Sequence, residues 1–181
     1  DFQNEEIGSI GRPLSNTTVE IWDENDEPVA DGESGEIVVK GPQVMMGYWL
    51  RQEETDKCMK RGFFKTGDVG LKLPSGNYKI VDRLKDMIIV SGFNVYPNEV
   101  ENILCLHPAI CEAAVIGAKD EKTGERVCAY ITLKEQVDEQ QVSDYCRENL
   151  SAYKVPKSII FMEQLPKSTV GKILRRELRE Q

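Results

Sequence analysis

Short runs in which apolar and polar residues alternate occur throughout the first half of the chain. Such runs lie at residues 17–22, 36–40, 69–73 and 78–82. The turns between them are rich in Asp, Glu and Gly, and Pro74-Ser75-Gly76-Asn77 has the composition of a hairpin turn. Together with a short helix at residues 52–61, these runs predict a small unit of antiparallel β-strands.

From residue 86 onward the pattern predicts strands that alternate with helices. Apolar runs typical of strands lie at residues 87–90, 113–118, 127–133 and 159–162. Pro97 opens a predicted helix that ends before Pro108, and Asp138 with Gln141 forms the capping box of a second helix. A last helix is predicted at residues 173–179. The second half is therefore predicted to be a compact α+β domain of about a hundred residues, large enough to fold alone.

Composition and charge narrow the class of protein. The chain has 181 residues, 40% of them hydrophobic and 30% charged, which is ordinary for a soluble globular protein. The net charge of -8 argues against nucleic acid as a partner. Nearly all charged residues between positions 1 and 40 are acidic, whereas basic residues outnumber acidic ones from residue 154 to the end. This distribution suits a small anionic ligand better than a long polyanion.

Cysteine and histidine usage limits the chemistry further. The five cysteines are Cys58, Cys105, Cys111, Cys128 and Cys146. They are widely spaced, without a C-x-x-C pair, and are predicted to be reduced core thiols of a cytosolic protein. The single histidine, His107, precedes a proline at a predicted helix end. A multi-histidine metal site and a histidine-based triad are thereby excluded, and no metal-binding residue is assigned.

Lys172 follows a turn that contains Pro166 and Gly171, and a helix with a basic face is predicted to begin directly after it. Because glycine permits a sharp backbone turn, this lysine can be aimed at a phosphate group. The alternative is a solvated basic helix end without a ligand. The sequence contains neither a Walker A loop nor a G-x-G-x-x-G fingerprint, so a nucleotide would be bound by another architecture.

Asp68, in the tripeptide Thr66-Gly67-Asp68, is predicted to lie at a strand edge beside a tight turn. A carboxylate in that place can accept hydrogen bonds from the two hydroxyls of a ribose; the alternative is an ordinary turn residue. Downstream, Gly92 ends an apolar run, where a ligand can approach the backbone closely. The polar segment 82–86 contains neither Gly nor Pro, which predicts a short, specific joint between the two halves.

These elements occur in an order that resembles one enzyme family. Residues 41–49, 66–68, 82–101, 154–156 and 165–178 are together similar to the C-terminal third of the adenylate-forming acyl-CoA synthetases. The similarity extends over essentially the whole chain and is greatest to the bacterial long-chain-fatty-acid–CoA ligases. It implies an α+β fold in which a small antiparallel β subdomain, the remnant of a β-barrel, precedes a compact α+β domain of that family's C-terminal type.

The resemblance implies a two-step acid–thiol ligase reaction. A fatty acid attacks the α-phosphate of ATP, which is bound with Mg²⁺, to give an acyl-adenylate and pyrophosphate. The thiol of coenzyme A then displaces AMP. By similarity, Lys172 is the catalytic adenylation lysine and contacts ATP, while Asp68 and Arg83 bind the ATP or AMP nucleotide.

Similarity also assigns Lys85 as the hinge about which the C-terminal domain rotates between the two half-reactions. That rotation brings Ser91 and Gly92 into the active site, where they bind coenzyme A. The predicted domains are residues 1–84, the end of the large N-terminal domain, and residues 85–181, the mobile C-terminal domain.

The family's phosphate loop, acyl pocket and magnesium-binding glutamate have no counterpart in this sequence. The chain is therefore expected to be a fragment that lacks its N-terminal domain and is inactive alone. The full-length enzyme is expected in the cytoplasm, with peripheral membrane contact as a further expectation. The alternatives are a fragment of an aryl- or short-chain acyl-CoA ligase, and a non-catalytic module that binds a partner protein.

Overall fold

The computed structural model describes residues 6–180, so residues 1–5 of the first predicted domain lie outside the described residues. The chain divides into two compact units, Asp1–Lys85 and Asp86–Gln181. The boundary predicted from the sequence lies one residue earlier, after Leu84. Each unit has its own sheet and its own core.

The first unit contains a five-stranded antiparallel sheet. Its elements are β1 (Thr18–Trp22), β2 (Ser34–Lys40), α1 (Gln52–Cys58), β3 (Met59–Lys60), β4 (Phe63–Lys72) and β5 (Tyr78–Arg83). The strand order is β1-β2-β4-β3, and β5 also pairs with β4. Ile21, Ile37 and Tyr78 form the buried cluster of this unit. Trp22 and Val38, which directly follow Ile21 and Ile37 and so point to the opposite face, are 2% and 0% exposed; this sheet is therefore partly buried on both faces.

A β-bulge interrupts the pairing of β2 with β4. Glu36 pairs with Val69 and Val38 pairs with Lys65, so that Ile37 alone stands opposite residues 66–68. Gly67 has a φ of 72°, in the left-handed region that favours glycine. The prediction that Asp68 lies at a strand edge beside a tight turn is therefore wrong: Asp68 lies inside the ten-residue strand β4, directly after the bulge. A bulge satisfies the same glycine signal as a turn but allows the strand to continue.

The second unit contains a mixed five-stranded sheet with helices. Its elements are β6 (Ile88–Val90), β7 (Phe93–Val95), α2 (Pro97–Leu106), β8 (Ile110–Asp120), β9 (Gly124–Leu133), α3 (Glu139–Asn149), β10 (Ser158–Phe161) and α4 (Arg175–Arg179). The strand order is β10-β9-β6-β7, with β8 also on β9. Only the β10–β9 pair is parallel among these described strands. Both units together confirm the predicted α+β class.

Strands β8 and β9 are buried on both faces. Val115 and Ala129 belong to the larger core cluster, which includes Val100 and Leu104 of helix α2. The neighbouring residues on the opposite face of β8 and β9 pack with Leu178 of α4 in a second cluster. Burial on both faces explains why these two strands appear in the sequence as nearly continuous apolar runs.

Helices α2 and α3 begin where their sequence signals predicted. Pro97 is the first residue of α2. An N–H at this position has no acceptor within the helix, so a proline there loses no hydrogen bond. Asp138 caps α3 in a complete capping box, in which its carboxylate accepts from Gln141 N and the Gln141 side chain accepts from Asp138 N. Among residues 6–180, every helix is too short or too polar to span a bilayer.

Two local predictions in the second unit are corrected. The strand predicted at residues 87–90 is the first half of a hairpin, whose second strand, β7, was not predicted; Ser91 (φ 52°) and Gly92 (φ 84°) are its turn. Two successive left-handed residues are typical of a type I′ turn, which suits the twist of a hairpin. The last helix starts at Arg175 and not at Ile173. Ile173 instead pairs with Lys167 in an isolated β-bridge.

The prediction of five core thiols is wrong for two of the cysteines. Cys128 and Cys146 are buried and Cys58 is half-buried, whereas Cys105 and Cys111 are exposed. Cys105 follows the buried Leu104 on α2 and faces away from the core. Cys111 lies at an irregularity in β8 between Ile110 and Glu112. An apolar sequence neighbourhood thus did not determine which face of an element each thiol occupies.

Candidate active site

Asp68 and Arg83 are direct partners across neighbouring strands of the first unit. The two residues face each other in the β4–β5 register, and Arg83 Nε lies 2.7 Å from Asp68 Oδ1. The arginine side chain is 52% exposed and the aspartate side chain 23% exposed. The guanidinium therefore holds the carboxylate in one orientation while the pair remains open to a ligand.

Hydrogen bonds of the bulge fix the backbone that carries Asp68. The hydroxyl of Thr66 donates to Ile37 O at 2.8 Å and accepts from Asp68 N at 3.1 Å. Gly67 N donates to the Glu36 carboxylate at 3.0 Å. The Thr66 hydroxyl and the backbone N–H groups of Gly67 and Asp68 thus all have hydrogen-bond partners. The tripeptide Thr66-Gly67-Asp68 is therefore a bulge held by defined hydrogen bonds and not a loose turn.

Lys85, the predicted hinge, lies in a single 3₁₀ turn, Leu84–Asp86, at the boundary between the two units. Its side chain is exposed, whereas the next residue, Asp86, is buried. Asp86 Oδ1 accepts a hydrogen bond from Arg179 at 2.7 Å. The second unit is therefore anchored at its first residue, directly after the predicted hinge.

Ser91 and Gly92, the predicted coenzyme A contacts, form the exposed turn of the β6–β7 hairpin. Ser91 N donates to Thr123 O at 2.8 Å, which fixes the turn against the β8–β9 hairpin. A Cβ atom placed on Gly92 would meet no atom within 4 Å. The left-handed backbone therefore accounts for the glycine here, and the space in front of the turn is open.

Lys172 lies in a small closed loop. Its base is the bridge between Lys167 and Ile173, extended by a hydrogen bond from Leu174 N to Pro166 O at 2.8 Å. Ser168 N donates to Lys172 O at 2.8 Å. The predicted start of a helix at this point is wrong, but the predicted turn is present, with Gly171 at a φ of 80°.

The two lysines of this loop differ in their side-chain environments. Lys167 Nζ is bound to Glu112 at 2.6 Å. Lys172 is exposed, and within residues 6–180 its ammonium has no hydrogen bond or ion pair. A solvated cation at the tip of a fixed loop can interact with an anionic ligand at little desolvation cost.

An open groove of about 910 Å³ lies beside α3 in the second unit. Arg126, Arg147 and Lys157 line it, together with the single carboxylate of Glu139 and neutral or apolar groups. Arg147 is paired with Asp144 at 2.5 Å, and Lys157 with Asp120 at 3.7 Å. The groove thus presents three cations, which the sequence analysis did not identify because they come from a strand, a helix and a loop.

Arg126 differs from the other two cations of the groove. Its Nε is buried without a hydrogen-bond partner in the described part of the chain. Because Nε is buried, only the rest of the Arg126 side chain faces the groove. Within the described residues Arg126 has no ion pair, unlike Arg147 and Lys157, so its charge is available to an anion.

The groove and the predicted coenzyme A turn are connected through Thr123. Thr123 O accepts from Ser91 N, and Thr123 Oγ1 lies 3.4 Å from Lys157 Nζ. Asp120 holds Thr123 in place, since its Oδ1 accepts from both the backbone N and the hydroxyl of Thr123. These hydrogen bonds lower the pKa of Asp120 to about 2. The turn and the groove are thus neighbours on one surface of the second unit.

The structure brings together some of the predicted site residues and not others. Asp68 contacts Arg83 in the first unit, and Ser91 and Gly92 share one turn in the second. Lys172 lies on a separate loop of the second unit. Among the described residues there is no group of three or more His, Cys, Asp or Glu side chains that could hold a metal ion.

Two family models match this sequence. One, described as AMP-binding enzyme, matches residues 1–49, and the other, AMP-binding enzyme C-terminal domain, matches residues 99–172. Among curated proteins, the long-chain-fatty-acid–CoA ligase of Escherichia coli O6:H1 is 47% identical over 96% of this chain and 31% of its own length. The 2-succinylbenzoate–CoA ligase of Bacillus subtilis is 40% identical over 99% of this chain and 37% of its own length.

Solved structures of related enzymes are similar to this chain over almost its whole length. ATP-bound MatB from Rhodopseudomonas palustris is similar with a TM-score of 0.92 and 36% identity, covering 99% of this chain and 37% of that protein. The o-succinylbenzoate CoA synthetase of Bacillus subtilis, in complex with its acyl-adenylate intermediate, is similar with a TM-score of 0.88 and 39% identity. The match covers 98% of this chain and 37% of that protein.

The fold and these matches define the class: the chain belongs to the AMP-binding, adenylate-forming enzymes. Its second unit contains the C-terminal domain of that family, and curated relatives named long-chain-fatty-acid–CoA ligase match almost the whole chain. The chain spans about a third of the length of the curated relatives it matches.

Proposed function

We propose that this chain is the C-terminal part of a long-chain-fatty-acid–CoA ligase, an ATP-dependent, AMP-forming enzyme. The observation that carries the proposal is 47% identity, over 96% of the chain, to a relative of that name. The exposed Lys172, the Asp68–Arg83 pair and the cationic groove supply groups suited to the reaction. The rest of the enzyme, with the acyl pocket, belongs to the part of the relatives that this chain does not match.

In the first half-reaction, a fatty-acid carboxylate oxygen attacks the α-phosphorus of ATP. The bond from that phosphorus to the bridging oxygen breaks, and pyrophosphate leaves with the bond's electron pair. Mg²⁺ enters with ATP as part of the substrate and offsets phosphate charge. Lys172 would place its ammonium against the carboxylate and the α-phosphate, where it offsets negative charge as the two anions approach.

Asp68 and Arg83 would bind the ribose and phosphate side of the nucleotide. The carboxylate of Asp68 is fixed by Arg83 and has accepting capacity left for vicinal hydroxyls. The half-exposed guanidinium of Arg83 can reach a nucleotide oxygen at the same time. The pair therefore suits a ligand that carries hydroxyls next to a negative charge.

In the second half-reaction, the thiol of coenzyme A attacks the acyl carbonyl carbon of the adenylate, loses its proton and displaces AMP. The open turn Ser91-Gly92 would leave room for the pantetheine arm. The groove lined by Arg126, Arg147 and Lys157 would bind the phosphates, since it lies beside that turn. Lys85, exposed at the boundary of the units, is the proposed hinge between the two half-reactions.

An acyl-CoA formation assay tests the proposal. The full polypeptide that contains this sequence would be supplied with ATP, Mg²⁺, coenzyme A and fatty acids of increasing length, and AMP and acyl-CoA would be measured. We expect turnover to be highest with long chains, and the 181-residue chain alone to form no product. If no acid tested gives an acyl-adenylate, the ligase proposal is refuted and the non-catalytic, partner-binding module remains.

An aryl-CoA ligase is the second candidate function. The observation in its favour is the 40% identity to the 2-succinylbenzoate–CoA ligase over 99% of this chain. The acid pocket lies outside the matched region, so the residues described here suit either acid. Preference for an aromatic acid in the same assay would decide for this candidate.

A further inference from the structure

Four charged side chains from separate segments form one ion-pair network in the second unit. Arg175 Nη2 lies 2.8 Å from Glu101 Oε2 and 2.9 Å from Oε1, and Arg175 Nε lies 3.1 Å from Oε1. Arg175 Nη1 is also 3.6 Å from Asp86 Oδ2, and Arg179 Nη2 is 2.7 Å from Asp86 Oδ1. Three elements are therefore joined: the turn after the proposed hinge, helix α2 and the terminal helix α4.

The network is mostly removed from solvent. The exposed fractions of the side chains are 19% for Arg175, 15% for Glu101 and 11% for Asp86. Buried ion pairs contribute little net stability, because desolvation offsets most of the attraction, but their geometry fixes the relative position of the segments they join. Arginine is suited to this task because its planar fork pairs with a carboxylate in a defined orientation.

Glu101 also connects the network to strand β8. Its Oε1 also accepts a hydrogen bond from Val115 N at 2.7 Å, and Val115 is fully buried in β8. Arg175 Nη2 additionally donates to Asn98 Oδ1 at 2.7 Å, one turn earlier on α2. Through Glu101, Arg175 is thus connected to a fully buried strand residue.

Lys172 is only three residues away from this anchored arginine. Three residues of chain span at most about 10 Å, and the loop of Lys172 is closed by the bond from Leu174 N to Pro166 O, immediately before Arg175. Helix α4 has five residues, too few for a helix to be stable alone. Leu178 anchors α4 to the core by apolar packing, which sets its depth but not its direction.

We infer that Arg175 is a positioning residue for Lys172, and that it acts through Glu101 and Asp86. The inference rests on the proposed role of Lys172 in adenylate formation. Apolar packing of Leu178 is not directional, whereas the hydrogen bonds of Arg175, together with the Arg179–Asp86 pair, set the register of α4. The same network ties Lys172 to Asp86, so the lysine keeps a constant distance from the residue that follows the proposed hinge.

The test compares Arg175→Ala and Glu101→Gln with Arg176→Ala in the full polypeptide. Arg176 is the matched control, since it is the next residue of the same helix, its side chain is 84% exposed and its one ion pair within residues 6–180 is with Glu180 at 3.9 Å. Adenylate formation is followed by pyrophosphate–ATP exchange, and thioester formation by release of AMP from supplied acyl-adenylate. A displacement of about 1 Å can cost a catalytic group roughly 10²-fold in rate.

We expect Arg175→Ala to lower adenylate formation by about that factor at saturating ATP, with thioester formation nearly unchanged, and Arg176→Ala to change neither. Equal loss in both half-reactions, or a lower melting temperature with their ratio unchanged, would overturn the positioning role. If Arg175→Ala does not fold, Glu101→Gln provides the same test, because it removes the charge that pairs with Arg175 and keeps the shape of the side chain.

Hydrogen exchange separates this inference from the proposed function. In the 181-residue chain, we expect the amides of residues 167–173 to exchange faster in Arg175→Ala and at the original rate in Arg176→Ala. If Lys172→Ala retains adenylate formation, the proposed role of the lysine fails, yet the exchange result still shows whether Arg175 orders the loop. Unchanged exchange in Arg175→Ala refutes the inference.

Discussion

Arg83 Nε lies 2.7 Å from Asp68 Oδ1, so the two residues assigned to nucleotide binding contact each other across neighbouring strands. A half-exposed pair of this kind contributes at most about 1 kcal/mol to stability. Its consequence is geometric, because the guanidinium selects one orientation of the carboxylate. The free side of that carboxylate is then presented in a constant position to a ligand.

Asp68→Asn in the full polypeptide should lower kcat/KM for ATP by about 10- to 100-fold, since hydrogen bonds to a charged group contribute roughly 1.5–3 kcal/mol. The amide also removes the attraction of Arg83. The measurement is adenylate formation as a function of ATP concentration. Asp31→Asn is the control, because Asp31 forms an exposed pair with Lys72 at 2.9 Å and has no proposed role. Equal effects of the two substitutions would refute the nucleotide-binding role.

Lys172→Ala should reduce adenylate formation by roughly 10²- to 10³-fold, the cost of removing one donor from a developing negative charge. Thioester formation from supplied acyl-adenylate should be largely retained. The two half-reactions are measured separately, with Lys167→Ala as the control on the same loop, since Lys167 is paired with Glu112. An equal loss in both half-reactions would contradict the assignment.

Arg126→Gln should raise the KM for coenzyme A by about 10-fold, because a charge-assisted hydrogen bond to phosphate would be lost. Adenylate formation should not change, as coenzyme A takes no part in it. Initial rates of acyl-CoA formation at varied coenzyme A concentration provide the measurement. Lys122→Gln, an exposed lysine outside the groove, is the control. An unchanged KM would remove the groove from coenzyme A binding.

Acid should destabilise the first unit through Asp26. Hydrogen bonds from Lys60 and Lys65 lower the pKa of Asp26 from 3.8 to about 2. Because the pKa is lower in the folded state, this carboxylate stabilises the fold above pH 3.8, and its contribution is lost as pH falls towards 2. Urea unfolding followed by tryptophan fluorescence reports on this unit, which contains both tryptophans, Trp22 and Trp49.

Asp26→Asn should make the free energy of unfolding less dependent on pH over that same interval. Asp120→Asn is the control, since Asp120 has a similarly low pKa of about 2 but lies in the second unit. An identical pH dependence in the wild-type chain and in Asp26→Asn would show that the Lys60–Asp26–Lys65 cluster does not contribute in this way.

Thiol reactivity should divide the cysteines by position. Burial raises the pKa of Cys146 to about 11, and Cys128 is also buried. We expect both to resist an aromatic disulfide reagent near neutral pH until the chain unfolds, while the exposed Cys111 reacts at once. Cys105 is exposed as well, but desolvation by the neighbouring residues raises the pKa of its thiol, so it should react more slowly than Cys111. Mass spectrometry of labelled peptides measures each site, and fast labelling of Cys146 would contradict the packing around α3.

The sequence by itself determined the local elements that depend on near neighbours. The capping box of Asp138 and Gln141 predicted the start of α3, and Pro97 predicted the start of α2. The apolar runs at residues 113–118 and 127–133 predicted two strands, which the structure contains as the paired strands β8 and β9. Each of these signals lies within a few residues of the element it specifies, so the element can be predicted without the rest of the chain.

Tertiary structure decided what depends on register and on distant partners. Only the pairing of β4 with β5 places Arg83 beside Asp68, and only the β2–β4 bulge keeps Asp68 within a strand. Glu101 and Arg175 are 74 residues apart, and neither stands out in the sequence as a partner of the other. Such contacts depend on how strands align and helices pack, and a shift of one residue in register would change every one of them.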